Sequence, residues 1–251
     1  ELFLSQPAVS KTVARLEQHF ETTLFDRIGS RLIITDSGRK LYHHAIQILD
    51  QQDQMNRSMQ GQKEVLRIGG TLTVGSTLLT GIIKSFQDEN PNAEIHAKII
   101  NTRGIEDLLL QSKLDVALVE GSIKSPLLSV QPVIEDHLVL ACTYMHPLAN
   151  RPDVFLDELA EYPFHMREVG SGTRELFENF MMRRGYDITV AYESTCPLTI
   201  LSSMEDFNLL SVLSFRLVEE REKSMPSLRK TRTGNAVSAL HITEIKCSHR
   251  F

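Results

Sequence analysis

The sequence predicts an α/β protein in two parts: a small helix-and-hairpin head ending in one long helix, then a larger two-lobed body. Three observations carry that expectation. Residues 1–40 show one two-faced helix and two short strand-like runs around a basic turn. Residues 36–60 hold one continuous stretch of helical spacing. From Val65 onward, short apolar strands alternate with amphipathic helices through two cycles, the pattern of mainly parallel strands covered by helices.

In the head, Ser5 stands where an N-cap belongs, and Pro7 fits a first helical turn, where missing amide donors cost little. Val9, Val13, Leu16 and Phe20 recur at spacings of four, three and four, forming one apolar face. Pro7, Lys11, Ala14, Arg15 and Gln18 fall on or near the opposite face, with Ser10 on its flank. Leu24-Phe25 leads into Asp26-Arg27-Ile28-Gly29-Ser30-Arg31, a turn with two arginines, and then into the strand-like Leu32-Ile33-Ile34-Thr35. A helix followed by a small basic hairpin is the outline of a winged helix-turn-helix.

The long helix runs from Asp36-Ser37 to about Gln60. Leu41, Ala45, Ile48, Met55 and Met59 follow a four-three alternation, with Gln52 in the remaining slot of the heptad seam. Its strongly polar flanks favour pairing with a second copy over packing within the chain. Gly61-Gln62-Lys63-Glu64 breaks the pattern as a hinge, which divides the chain into domains at 1–60 and 65–251.

In the body, strand Val65–Gly69 precedes a helix with Leu78, Leu79, Ile82, Ile83 and Phe86 on one face, stopped by Asn90-Pro91. Strand Glu94–Ile100, a helix carrying Leu108, Leu109 and Leu110, and strands Asp115–Val119 and His137–Cys142 follow. A second cycle has strand Pro163–Arg167, a helix from Thr173 to Arg184, strand Ile188–Tyr192 and a helix from Pro197. Two cycles predict two lobes with a cleft between them.

Composition narrows the function. The chain has 251 residues and a formal net charge of −5, which excludes a polybasic nucleic-acid coat but not a local DNA-reading surface. Residues 1–40 carry six basic and five acidic side chains, so specific contacts must do more than a basic patch would. The uncharged run Ile68–Ile83 has 16 residues, four of them glycine, and is too short and polar to span a bilayer. No secretory pattern opens the chain, and three scattered cysteines form no framework. The expectation is a soluble, reduced, cytoplasmic protein.

Catalytic patterns are missing from the sequence. Gly70–Thr77 comes within one residue of a phosphate loop, but Ser76 stands where that loop requires Lys. Gly170-Ser171-Gly172 is no nucleophile elbow, adjacent His43-His44 diverge on a helix, and Cys142 with His146 lacks further metal ligands. Cys196 reads as a small buried residue more readily than as a redox switch. These features exclude an enzyme and imply no cofactor or metal.

Ser5-Gln6-Pro7-Ala8-Val9-Ser10-Lys11, with Leu16-Glu17 and Leu24-Phe25-Asp26-Arg27 after it, closely resembles the LysR-type transcriptional regulators. Thr35-Asp36-Ser37-Gly38, Leu114–Gly121 and Gly170-Ser171-Gly172-Thr173-Arg174-Glu175 resemble further signatures of that family, in the family's order. The resemblance implies a winged helix-turn-helix, a dimerising linker helix and a two-lobed effector domain like a periplasmic binding protein. It also implies that this chain lacks the first helix of the DNA-binding domain and stops before the last helix of the effector domain. Ser203–Asn208 departs from the glycine-rich turn usual in the family.

Two sets of candidate residues result. On the helix and wing, Ser5, Gln6, Pro7, Ser10, Lys11, Arg15, Arg27 and Arg31 are the candidates for double-stranded DNA. Gln pairs with adenine, Ser and Lys are versatile donors, and arginines in a wing suit phosphate or minor-groove contact. In the body, Thr71 and Thr73 end the first strand, facing a second helix start near Gly75-Ser76-Thr77. Gly170-Ser171-Gly172-Thr173 leads into another helix. With Thr195 they form a set of hydroxyl and amide donors, Thr71, Thr73, Ser171, Gly172, Thr173 and Thr195, in which only Arg174 offers a charge. Such a set suits a small anion, either a carboxylate or an inorganic oxyanion such as sulfate or sulfite. The expected mechanism is a bistable homodimer or homotetramer in which the effector changes DNA bending or contact with RNA polymerase. The alternative, a solute-binding protein of a transport system, explains the lobes but not the helix and wing.

Overall fold

The structure, a computed structural model, describes residues 5–149, 151, 154–222, 228–231 and 240–247. The chain separates into two compact units, Glu1–Gln62 and Lys63–Phe251.

In the first unit, α1 (Gln6–His19) starts after an extended Ser5, with Pro7 in its first turn; the Ser5 side chain makes no capping bond. β1 (Phe25–Ile28) pairs antiparallel with β2 (Arg31–Ile34) across Gly29-Ser30, where Gly29 takes φ +64°. Glu17 ties the helix to the hairpin: its Oε1 accepts the N–H groups of Leu24 at 2.8 Å and Phe25 at 3.3 Å. Thr35 then caps α2 (Asp36–Met59), accepting the Gly38 N–H at 3.0 Å while its hydroxyl donates to the Thr23 carbonyl at 2.7 Å. A Cβ at Gly38 would lie 2.2 Å from the Leu24 carbonyl oxygen, so the turn into α2 needs glycine. Along the seam of α2, Leu41 is half-buried and Ala45, Ile48, Gln52, Met55 and Met59 are exposed.

The second unit opens with β3 (Val65–Gly70). α3 (Leu72–Val74) then passes through a π-helical turn, Gly75–Leu79, into α4 (Thr80–Glu89). Gly75-Ser76-Thr77 is therefore helix interior, not the helix start expected from sequence. A Cβ at Gly75 would meet the end of the Ile99 side chain at 2.7 Å. β4 (Glu94–Ile99), α5 (Thr102–Leu110), β5 (Val116–Glu120) and β6 (Leu128–Asp136) complete the outward path of the first lobe. The chain crosses at Asp136-His137 into β7 (Leu138–Thr143), α6 (Leu156–Ala160), β8 (Pro163–Arg167), α7 (Gly172–Met182), β9 (Thr189–Ser194), α8 (Pro197–Phe207), β10 (Ser211–Ser214), α9 (Phe215–Glu222) and β11 (Leu228–Thr231). It returns to the first lobe as β12 (Leu240–Cys247).

The first lobe is a five-stranded sheet of order β4-β3-β5-β12-β6; the second holds a β10-β7-β11 sheet and a β8-β9 pair. The two pieces of the second lobe meet through a parallel bridge between Phe164 and Leu210. The expectation of mainly parallel strands is corrected here. β3 runs parallel to β4 and β5, and β8 to β9. β12 is antiparallel to both β5 and β6, and β7 is antiparallel to β10 and β11. Strand direction follows from the crossing and return of the chain, which apolar spacing does not encode.

Each lobe has its own core. Ile68, Val74, Leu79, Ile105, Leu109, Ala117 and Val119 fill the first, and Leu140, Phe164, Met166, Phe177, Met181 and Leu210 the second. These cores hold the carboxyl ends of β3, β5 and β8, at Gly70, Glu120 and Arg167, where the polar site forms.

Candidate functional site

All eight residues read as DNA contacts are exposed in the first unit. Gln6 and Ser10, and Pro7 and Lys11, lie one helical turn apart on α1, the spacing that brings side chains to one face. The hairpin adds a detail that the linear sequence hides. Arg27 pairs in register with Leu32, and Arg31 with Ile28, so the two arginines project from opposite faces of the wing. The wing thus carries one guanidinium on each side and cannot lay both on one flat surface.

In the second unit, the starts of α5 and α7 meet at the junction of the lobes. The Thr102 hydroxyl donates to the Glu120 carbonyl at 2.9 Å and accepts the Gly172 N–H at 3.1 Å. The Arg103 N–H donates to the Gly170 carbonyl at 3.2 Å, and Lys124 pairs with Glu175 at 2.9 Å. Two glycines permit the approach. A Cβ on Gly172 would lie 2.2 Å from the Glu120 carbonyl oxygen, and one on Gly121 would lie 2.5 Å from the Gly172 Cα.

Around this junction the structure buries Thr71, Thr73, Ser171, Gly172 and Thr173 of the sequence-predicted set. Ser171 occupies the N-cap position of α7, yet its side chain makes no capping bond, so helix capping does not explain the residue. Ser76 and Thr77 bond back to the carbonyls of Leu72 and Thr73 in their own helix. Thr195 is exposed, in contrast to the other five; it follows Ser194, the register partner of Arg167.

Three residues that belong here escaped the sequence reading. Thr102 bridges the lobes as described. Glu120 ends β5 with its side chain buried against the Thr71 hydroxyl, which donates to its Oε2 at 3.4 Å. Arg167 ends β8, 3 % exposed, and its guanidinium donates to Glu168 at 2.9 and 3.1 Å. Arg167, not Arg174, is the buried cation nearest this chemistry. Arg174 is held by Glu178 at 2.6 Å, by Glu193 and by the Arg167 carbonyl. A charged residue closing a short, buried strand, as in Val116–Glu120 and Pro163–Arg167, was the available signal for both.

Burial pushes the Glu120 carboxyl up to about 7, and the charge of Asp136 adds to the rise. Hydrogen bonds from Thr73 and Thr71 and the charge of Arg167 oppose it. Cys196, expected to be buried, is exposed at the N-cap of α8. The Thr199 N–H holds its thiol below the ordinary thiol range, aided by the Thr199 hydroxyl, the Leu198 N–H and the charge of Arg167, against some burial.

A winged helix-turn-helix unit followed by a two-lobed α/β unit with buried polar groups at the lobe junction defines a DNA-binding regulator with a ligand-binding domain. Family profiles agree. Residues 1–39 match the bacterial regulatory helix-turn-helix protein of the lysR family, and residues 59–226 match the LysR substrate binding domain. The chain belongs to the LysR family of transcriptional regulators. It is 30% identical over 220 residues to the HTH-type transcriptional regulator YeiE of Escherichia coli K12, covering 88% of this chain and 75% of that one. The RuBisCO operon transcriptional regulator of Allochromatium vinosum is 29% identical over 222 residues, covering 87% and 74%. The regulatory domain of Synechocystis CcmR, solved in complex with 2-PG, shares the fold with a TM-score of 0.69 and 22% identity, over 75% of this chain and 90% of that domain. These relatives are named as regulators, not as enzymes or transport proteins. Among the described residues no helix is long and apolar enough to cross a membrane.

Proposed function

We propose that this regulator senses a small anion, a carboxylate or an inorganic oxyanion, bound between the lobes of its second unit. The observation that carries the reading is the burial of Thr71, Thr73, Ser171 and Thr173 together at the junction, with the Ser171 hydroxyl not spent on its helix. Neutral hydroxyl and amide donors at the start of a helix stabilise an anion without a dedicated counter-ion. The neighbouring Arg167 adds a positive field softened by Glu168. The similar CcmR regulatory domain, solved in complex with 2-PG, supports a ligand for a domain of this fold. In the first unit, Gln6 and Ser10 read base edges of double-stranded DNA, while Arg27 and Arg31 hold its phosphates from two sides. The seam of α2 pairs two copies, so that effector binding resets the spacing of paired reading helices in the cytoplasm, with RNA polymerase or DNA bending as the readout.

Melting of the whole chain with sulfate, sulfite, glycolate and neutral aromatic compounds tests the site. At a hundred times its dissociation constant, a ligand of the folded form adds about 2.7 kcal/mol of stability. We expect small anions to raise the melting temperature, and Thr71→Val combined with Ser171→Ala to remove the gain. Stabilisation by the aromatics alone, or an unchanged response of the double variant, overturns the assignment.

A further inference from the structure

Glu120 is a carboxyl group placed among the donors that the anion site would use. It closes β5 at 2% exposure, and its Oε1 has no hydrogen-bond partner among the described residues. Its Oε2 takes the long 3.4 Å bond from Thr71, and Thr73 supplies a second hydroxyl. The charged groups that face it are Arg167 from β8 in the second lobe and Asp136 from the end of β6. Arg167 is already bound by Glu168, and Asp136 by the His137 N–H at 2.8 Å and the Ser214 hydroxyl at 2.5 Å. Among the described residues, the one cation acting on Glu120, Arg167, is thus already paired with Glu168 when an anion enters beside it. An ionised Glu120 would compete with the anion for the Thr71 and Thr73 hydroxyls and repel it at low local dielectric. A protonated Glu120 keeps those hydroxyls available and adds a donor of its own.

We propose that Glu120 carries a proton in the effector site: in its acid form it donates a hydrogen bond to the bound anion, and where Glu120 is ionised beforehand each anion is taken up together with one proton. This rests on the anion reading above. The proton comes from solvent, resides on a Glu120 carboxyl oxygen and returns to solvent when the anion leaves. Burial already raises the free group to about 7, so the acid form is substantially populated near neutrality before any ligand arrives. A neighbouring negative charge favours that form further. The sign follows from linkage. Below the carboxyl's titration range affinity is flat; above it, each pH unit weakens binding about tenfold, because the anion must first draw a proton from a scarcer supply. The regulator would then respond to anion and acidity jointly through one buried side chain.

Titration calorimetry of sulfate and of glycolate, which keep one charge state from pH 6 to pH 9, tests this on the whole chain. We expect the affinity at pH 8.5 to be at least tenfold below that at pH 6. At pH 8.5 the heat should depend on the buffer's ionisation enthalpy with close to one proton taken up per anion. Glu120→Gln, a permanently neutral donor of the same shape, should bind with nearly equal affinity at both pH values. The buffer comparison on the parent stands alone if that variant does not fold. Equal affinity at both pH values, affinity rising with pH, or a Gln variant that titrates like the parent overturns the proton proposal while the anion site stands. Failure of both anions to bind at pH 6 overturns the anion reading, and this proposal with it.

Discussion

Gln6, Ser10 and Lys11 stand in water on α1, whereas Thr71, Thr73 and Thr173 are closed off between two lobes, and the fold treats the two groups differently. An exposed polar atom is satisfied by solvent until a partner replaces it, so α1 needs no internal bonds for the polar side chains it exposes. A buried donor costs free energy unless the protein itself supplies a partner. Thr102 shows the consequence, giving its proton to the Glu120 carbonyl and accepting from the Gly172 amide. The proposed DNA face is thus defined by which side chains it carries. The lobe junction is defined by which internal bonds it can exchange for a ligand's.

Substitutions can break or sharpen that contrast. The largest effect should come from the exposed seam of α2, because its openness is the feature most at odds with its apolar character. Leu41→Glu with Ile48→Glu withdraws about 2 kcal/mol of burial per side chain from any shared interface. Sedimentation should then show the mass of a single chain. An unchanged mass would mean that the seam faces water throughout. Next comes Gly172→Ala, whose Cβ would press on the Glu120 carbonyl oxygen at 2.2 Å. Overpacking of this kind costs about 1–3 kcal/mol. The denaturant midpoint should fall and stabilisation by anions should vanish; a variant as stable and responsive as the parent would show that the lobes part freely. The smallest effect on stability belongs to Gln6→Ala, within about 0.5 kcal/mol because the site is exposed. It should instead relax base preference, by roughly 1–3 kcal/mol of discrimination. Arg27→Ala should weaken cognate and random DNA alike. Equal losses for Gln6→Ala on both DNAs, measured at one salt concentration, would remove the distinction between reading and positioning residues.

The first unit was legible because its information is local. Val9, Val13, Leu16 and Phe20 mark α1, Thr35 and Gly38 mark the entry to α2, and the hairpin forms around Gly29 as expected. What spacing could not show was pairing register, which alone puts Arg27 and Arg31 on opposite faces. In the second unit most strands and helices were legible, but β6, α6, β10, α9 and β11 were not separated from their surroundings. Gly75 was misread as a helix opening because glycine usually interrupts helices. Here it makes room for Ile99, a residue of another strand. The burial of Thr71, Thr73, Ser171 and Thr173 at the junction was legible because these hydroxyls cluster in sequence. Glu120 and Arg167 were missed because each is a single charge at a strand end, and only tertiary structure gathers such ends.

β12, the last described strand, lies between β5 and β6 in the sheet of the first lobe. On the ribosome, β5 and β6 therefore emerge with no strand to join them, and they wait while β7 through β11 are made. At ~5–20 residues per second the delay is on the order of 10 s, with open strand edges that chaperones can occupy. The second lobe has all its described strands before that wait ends. Among the described residues, the lobe synthesised first thus receives its joining strand last, and its side of the proposed effector site stays unsupported until that returning strand has left the ribosome.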